Sequence, residues 1–227
     1  MSELTDMADT IARVSASGTP LTATTNRNVR PPIGLSGFAK AGKTEAAKFI
    51  EAHFSYERQH IAEPLRRMLT SLLLDWGMHP QEIAEYLTGD RKEEVIPCLG
   101  VTSRHAQITL GTEWGRNLIA ADLWARLWAY QAAASGKAVM NDSVRFPNEQ
   151  REIHRVRGIT ILVTRPGAGP VAYRWKRLGP LLYRWFGCMW GVHDSERVDR
   201  LRPDYVIVND GTIGDLHDSI ARVLAAE

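Results

Sequence analysis

Residues 37–44 read Gly37-Phe38-Ala39-Lys40-Ala41-Gly42-Lys43-Thr44, a complete G-x-x-x-x-G-K-T pattern. The short apolar stretch Pro32-Ile33-Gly34-Leu35-Ser36 precedes it, and a helical pattern follows with apolar positions at Ala46, Ala47, Phe49 and Ile50. This strand, loop and helix order is the context in which the pattern cradles phosphate. Gly37 and Gly42 admit backbone geometry and a close approach that a side chain would block, so successive N–H groups turn inward toward an anion. Lys43 adds a mobile cation at the β- and γ-phosphates, and the Thr44 hydroxyl suits Mg²⁺. The helix that begins there presents its positive end to the same anion. A nucleoside triphosphate is the expected ligand.

Working outward, the 227 residues suit one domain or one domain with a small lobe, and 44% hydrophobic content can fill a sizeable core. With 28 basic and 26 acidic residues the net charge is +2, which gives no electrostatic case for direct binding to nucleic acid. No run approaches the roughly 18 apolar residues of a membrane span. The N-terminus, with Glu3, Asp6 and Asp9, lacks the layout of a signal peptide, so a cytoplasmic protein is expected. Cys98 and Cys188 lie far apart without C-x-x-C spacing and read as reduced packing thiols.

Residues 1–30 are rich in Ser, Thr and Ala and end near Pro31-Pro32, which predicts a flexible extension with one frayed helix around Leu4 to Val14. Residues 31–227 form the expected folded domain. Short apolar runs alternating with amphipathic stretches predict an α/β fold with a central, mostly parallel sheet. The candidate strands are 33–36, 138–141, 159–163 and 205–208, with 56–61 as a weaker fifth. Pro64 opens a helix whose Leu65, Met68, Leu69, Leu72 and Leu73 follow helical spacing and predict one core face. Shorter helices are expected at 80–87 and 103–110, a long one at 115–134, and a last one after Thr212, a plausible N-cap following the Asn209-Asp210-Gly211 turn.

The run Lys137 to Asp142 reads as a buried strand that delivers a carboxylate at its C-terminal end, where ligands gather in open parallel sheets. Asp142 is the candidate Mg²⁺-linked acid partnering Thr44, and the plainer reading is a residue that starts a turn. Arg145 can hold a phosphate with two bonds and Glu149 can accept from a sugar or base, or the two form a surface ion pair four residues apart. His193-Asp194-Ser195-Glu196 reads as a helix start rather than a zinc site, because adjacent residues rarely converge on one ion.

The loop at 37–44, together with the segments at 108–124, 141–149, 193–196 and 204–212, resembles the bacteriophage deoxynucleoside monophosphate kinases, a branch of the P-loop kinases. The Leu-Gly-Thr-Glu-Trp-Gly-Arg run at 110–116 and the Val-Arg-Phe-Pro-Asn-Glu run at 144–149 are the most specific parts of a likeness that spans roughly 33–225. The resemblance implies a P-loop kinase-like three-layer sandwich that transfers the γ-phosphoryl of ATP, with Mg²⁺, to a deoxynucleoside monophosphate. It places Gly37, Lys40, Ala41, Gly42, Lys43, Thr44 and Glu45 at ATP, and Arg104, Gly111, Thr112, Trp124, Arg145 and Glu149 around the monophosphate. Lys43, Arg145 and Asp142 form the expected catalytic set, and Thr44 and Asp142 the metal set. Trp124 packs on the sugar or base, or belongs to the core. Arg66, with Glu63 and Arg67, supplies further acceptor contacts or is a solvated helix charge. Two departures stand out: family members often carry the acid at the place of Ser143 here, and Asp at the place of Thr44.

Residues 165–192 form a stretch longer than the family connection. Arg165, Arg174, Lys176, Arg177 and Arg184 are interleaved there with Tyr173, Trp175, Tyr183, Trp185, Phe186 and Trp190. A lid insertion closing over ATP is expected, with a helical hairpin or a partner surface as the other readings. Exposed aromatics in this stretch leave room for a homodimer contact. Two further functional readings are a P-loop kinase of another small metabolite and an ATP-hydrolysing protein that binds nucleic acid or a partner.

Overall fold

The strand that feeds the loop is buried throughout: Ile33–Ser36 (β1) alternates its side chains into two apolar layers and lies at the centre of a five-stranded sheet. The computed structural model describes residues 30–170, 178–187, 189 and 191–226. The N-terminal extension, the 4–14 helix, Cys188 and residues 171–177 of the lid candidate lie outside the described residues.

Further strands are Glu57–Arg58 (β2), Val139–Asn141 (β5), Ile159–Thr164 (β6) and Tyr205–Val208 (β7), and Val95–Ile96 (β3) pairs with Val101–Thr102 (β4) in a separate antiparallel hairpin. The main sheet runs β2-β5-β1-β6-β7, and every neighbouring pair is parallel. Parallel neighbours require crossovers, and helices supply them on both faces. On one face Lys43–Phe54 (α1) and Ile213–Ala225 (α8) pack Ala46, Ala47, Ile50, Leu216 and Ile220 against Leu35, Ile161 and Ile207. On the other, Leu123–Ala134 (α5) and Pro147–Arg155 (α6) bring Trp124, Trp128 and Ile153 to Val139 and Val144. The architecture is therefore a three-layer α/β/α sandwich. A Cβ on Gly34 would stand 2.5 Å from Ile153 Cδ1, so α6 lies directly on β1.

A helical lobe follows β2. Glu63–Asp75 (α2), Pro80–Leu87 (α3) and Ser103–Ile108 (α4) surround Leu69, Leu73, Ile83, Tyr86 and Ile96. The expected core face of α2 is narrower than its spacing predicts: Leu65, Leu69 and Leu73 are buried, whereas Met68 and Leu72 are exposed. The i, i+4, i+8 row alone reaches the neighbours, and Met68 and Leu72 lie off it. The strand expected over 56–61 stops at Arg58. Gln59 still donates its N–H to Met140 O, but His60 then turns and accepts the Ala62 N–H on Nδ1.

The helix expected over 115–134 is divided. α4 runs into a π-helical segment, Thr109–Ile119, which ends where Ala120 becomes extended, and α5 restarts at Leu123. The reason is local packing. The Trp124 indole donates to Gly111 O at 2.8 Å, and its ring occupies the space a Cβ on Gly115 would need, at 2.6 Å. At the C-terminus, Thr212 caps α8 as expected, accepting the Asp215 N–H while Asp215 accepts the Thr212 N–H. Among the described residues no helix is long and apolar enough to cross a membrane. Cys98 is a free thiol, with Sγ 3.7 Å from Met78 Sδ.

Candidate active site

The loop leaves β1 with Gly37 at φ 141° and closes with Gly42 at φ 107°, both in the region that favours glycine. A Cβ on Gly37 would meet Val163 O at 2.2 Å, so the loop passes directly over β6. On its far side, Asn209 Nδ2 donates to Ala41 O at 2.9 Å and lies 2.5 Å from where a Gly42 Cβ would stand. Lys40 also takes a positive φ, at the exposed tip. Lys43 curls back over the loop and donates from Nζ to Gly37 O and Phe38 O, each at 2.8 Å. The ammonium is thus parked across the mouth of the cradle by neutral acceptors, which an anion can replace. Thr44 is exposed at the start of α1, and Glu45 one residue on accepts from His217 at 3.2 Å.

Burial pushes Lys43 below the ordinary lysine range, and Arg145 pushes it the same way, while Glu196 and Asp142 offset part of the shift. These charges mark what faces the loop. Asp142 lies just beyond β5, and its carboxylate accepts from Arg58 Nη1 at 3.1 Å, with Glu51 of α1 holding the rest of the guanidinium. One Asp142 oxygen is therefore engaged by the protein itself. Arg145 is half exposed, pairs with Glu196 at 3.5 Å, and gives its backbone N–H to Glu149 Oε2 at 2.8 Å.

The surface ion pair between Arg145 and Glu149 does not form. Glu149 is buried, accepts the Phe146 N–H in a capping arrangement, and pairs with Arg116 at 2.7 Å. Arg116 is in turn 4.5 Å from the Phe146 ring, so these residues brace the turn that carries Arg145. Trp124 is buried, with its N–H committed to Gly111 O. Thr112 is exposed on the π-helical segment. Arg104 lies exposed on the helical lobe, paired with Glu93, and no contact among the described residues links it to the Lys43 group. Arg66, near the start of α2, makes a 3.4 Å contact with Glu63 and keeps a buried, unpaired Nε.

Sequence reasoning missed His60, Arg58, Glu196 and Asn209 as parts of the site. His60 Nδ1 accepts from the Ala62 N–H, so Nε2 carries the proton toward Ser143 Oγ at 3.0 Å, and Ser143 passes its own to Asn141 Oδ1 at 3.0 Å. Burial and then Arg66 hold His60 below its ordinary value. Asn209 was visible only as a turn residue, although a polar side chain at the C-terminal end of a parallel strand is where such sheets bind. Among the described residues no three His, Cys, Asp or Glu side chains gather as a metal site, and His193 instead caps a short 3₁₀ turn, Asp194–Glu196. A groove lined by Val208, Gly211, Asp215 and Ser219 runs along α8 and includes none of residues 37–44, Asp142 or Arg145.

No family model and no curated protein matches the chain. Among solved structures, an APS kinase variant of Mycobacterium tuberculosis aligns over 88% of this chain and 99% of its own at 12% identity, with a TM-score of 0.39. An unliganded sugar kinase from a Janibacter species aligns over 87% and 93% at 17% identity, with a TM-score of 0.35. The parallel strand order and the loop geometry, not these likenesses, define the fold.

The described part of the 165–192 stretch adjoins the loop. Its helix Gly179–Phe186 (α7) places Tyr183 edge-on to Phe38, ring centroids 6.1 Å apart, and against Gly169. Trp185 and Phe186 on the same helix are exposed.

Proposed function

We propose that the protein is a deoxynucleoside monophosphate kinase that moves the γ-phosphoryl of Mg-ATP to a monophosphate, giving ADP and the diphosphate. The observation that carries this reading is that Lys43, on the phosphate loop, lies within electrostatic reach of Arg145, on a turn that the sequence likeness assigns to the acceptor. Two polyanions must approach each other in such a reaction, and cations on both sides offset their repulsion.

The residues fit the donor and its metal. Gly37 and Gly42 leave a cradle that side chains would fill, Lys43 is held at its mouth by exchangeable carbonyl acceptors, and the exposed Thr44 and partly buried Asp142 supply oxygen donors. Thr44 and Asp142 would hold Mg²⁺, which would supply charge screening at the donor phosphates. Within the protein, Lys43 would leave Gly37 O and Phe38 O for the donor phosphates, Arg145 would offer its solvent-facing edge to the acceptor phosphate, and Arg58 would fix the Asp142 carboxylate. An ionised oxygen of the acceptor forms the new P–O bond as the bond between the γ-phosphorus and the β,γ-bridging oxygen breaks. That oxygen needs no deprotonation at neutral pH, so no general base is assigned. The helical lobe, through Arg66 and Glu63, would border the acceptor, and α7 would close over the donor as part of a lid.

Chromatographic measurement of ADP and diphosphate formation, with each deoxy- and ribonucleoside monophosphate in turn, tests the reading. Equimolar diphosphate and ADP from deoxynucleotides, abolished in Lys43→Ala, is the expected result. ADP released without any diphosphate would replace the kinase by an ATPase, and transfer only to other metabolites would move the acceptor class.

A further inference from the structure

We propose that Glu196 is a positioning residue that aims Arg145 at the phosphates, an inference that rests on the reading of Lys43 and Arg145 as phosphate-binding cations. Glu196 is 8% exposed, which is unusual for a carboxylate on a short 3₁₀ turn at the molecular surface. A buried carboxylate is costly unless cations and donors compensate it. The cations that do so here are those of the site: Arg145 Nη1 lies 3.5 Å from Glu196 Oε1, and Glu196 is the stronger of the two carboxylates acting on Lys43.

The arrangement fixes Arg145 from two directions. Glu149 holds its backbone N–H, and Glu196 holds one edge of its guanidinium. The side chain remains 51% exposed, so the other edge of a planar five-donor fork stays open to a phosphate. Glu196 itself is held in place: its N–H donates to His193 O at 2.9 Å, and the His193 side chain accepts the Ser195 N–H. The carboxylate also balances two like charges before any phosphate arrives, keeping Arg145 from swinging away from Lys43. Glu196 touches no reacting atom in this scheme and acts through Arg145.

A double-mutant cycle tests it. Glu196→Ala, Glu196→Gln, Arg145→Ala and both Glu196 variants in the Arg145→Ala background are compared for kcat and KM of the monophosphate. Glu196→Ala should lower kcat/KM about tenfold to a hundredfold, the scale of a misplaced catalytic group. Glu196→Gln, which keeps the length and one acceptor oxygen, should recover part of that loss. In the Arg145→Ala background neither Glu196 change should lower kcat/KM further by more than about twofold, the mark of residues acting as a unit. Losses that multiply in the double variants, or an unchanged kcat/KM in Glu196→Ala, would overturn the proposal. Should Glu196→Ala fail to fold, as judged by its thermal melt, the Glu196→Gln arm completes the cycle. Should the wild-type protein phosphorylate no monophosphate, the proposed function fails on its own. The cycle is then read from calorimetric affinity for inorganic pyrophosphate: non-additive losses support Glu196 acting through Arg145, and independent losses reject it.

Discussion

Lys43 carries a charge that its surroundings only partly support, and this makes its titration measurable. Burial and Arg145 lower its pKa from the ordinary 10.5, whereas donor phosphates would raise it again. Binding of Mg-ATP should therefore take up a proton once the pH exceeds the free-state value, and affinity should decline with rising pH earlier than for an exposed lysine. Calorimetry in two buffers of different ionisation enthalpy reads that uptake directly, and Lys43→Arg, which stays charged, should abolish it. His60 gives the opposite kind of signal. Its folded-state pKa lies below 6.5, so the unfolded chain binds more protons just under that value, and stability falls as the pH drops through this window. Denaturant melts should show His60→Gln losing less stability on acidification than the wild type. Of these two residues only Lys43 was legible in the sequence, because a loop motif names its lysine. The surroundings of His60, made by Ser143, Arg66 and Asp142, exist only after β2 and β5 pair.

Among the elements, the π-helical segment Thr109–Ile119 is shaped by tertiary packing against Trp124. Gly115 lies against the Trp124 ring with no room for a methyl group, so Gly115→Ala should destabilise the protein by about 1–3 kcal/mol, the usual range for overpacking. Tryptophan fluorescence should shift as Trp124 is displaced, and urea melts give the energy. This segment was hidden in the sequence because its periodicity is that of an ordinary helix, and the interruption comes from an indole bonded thirteen residues back along the chain. The elements that were legible each carried a local mark. β1 and β7 are short apolar runs bounded by turn residues, α3 begins at Pro80, and α8 follows Thr212 with its reciprocal cap. Pairing choices were less legible. Both Arg145 and Glu149 were visible as site candidates, but nothing local shows that Arg145 takes Glu196, fifty-one positions later in the chain, and Glu149 takes Arg116.

At the scale of the whole molecule, the sandwich and the helical lobe meet at Leu110, which packs against the clusters of both. Ligand at the loop should stabilise the fold it touches. With Mg-ATP at a hundred times its dissociation constant, the gain of about 2.7 kcal/mol corresponds to a rise of about 5–10 °C in Tm for a chain of this size. Differential scanning fluorimetry should show that shift in the wild type and none in Lys43→Ala. The parallel order of the sheet was legible as alternation of short apolar runs and helices, but the position of the helical lobe relative to the loop was not, since no local pattern encodes it. The bond from Asn209 to Ala41 also orders events during synthesis. The side chain that props the loop lies just past β7, 168 positions after the carbonyl it holds. A nascent chain still lacking Asn209 would present the motif without its brace, so ATP capture should begin only once residues 205–209 have been made and folded onto the loop.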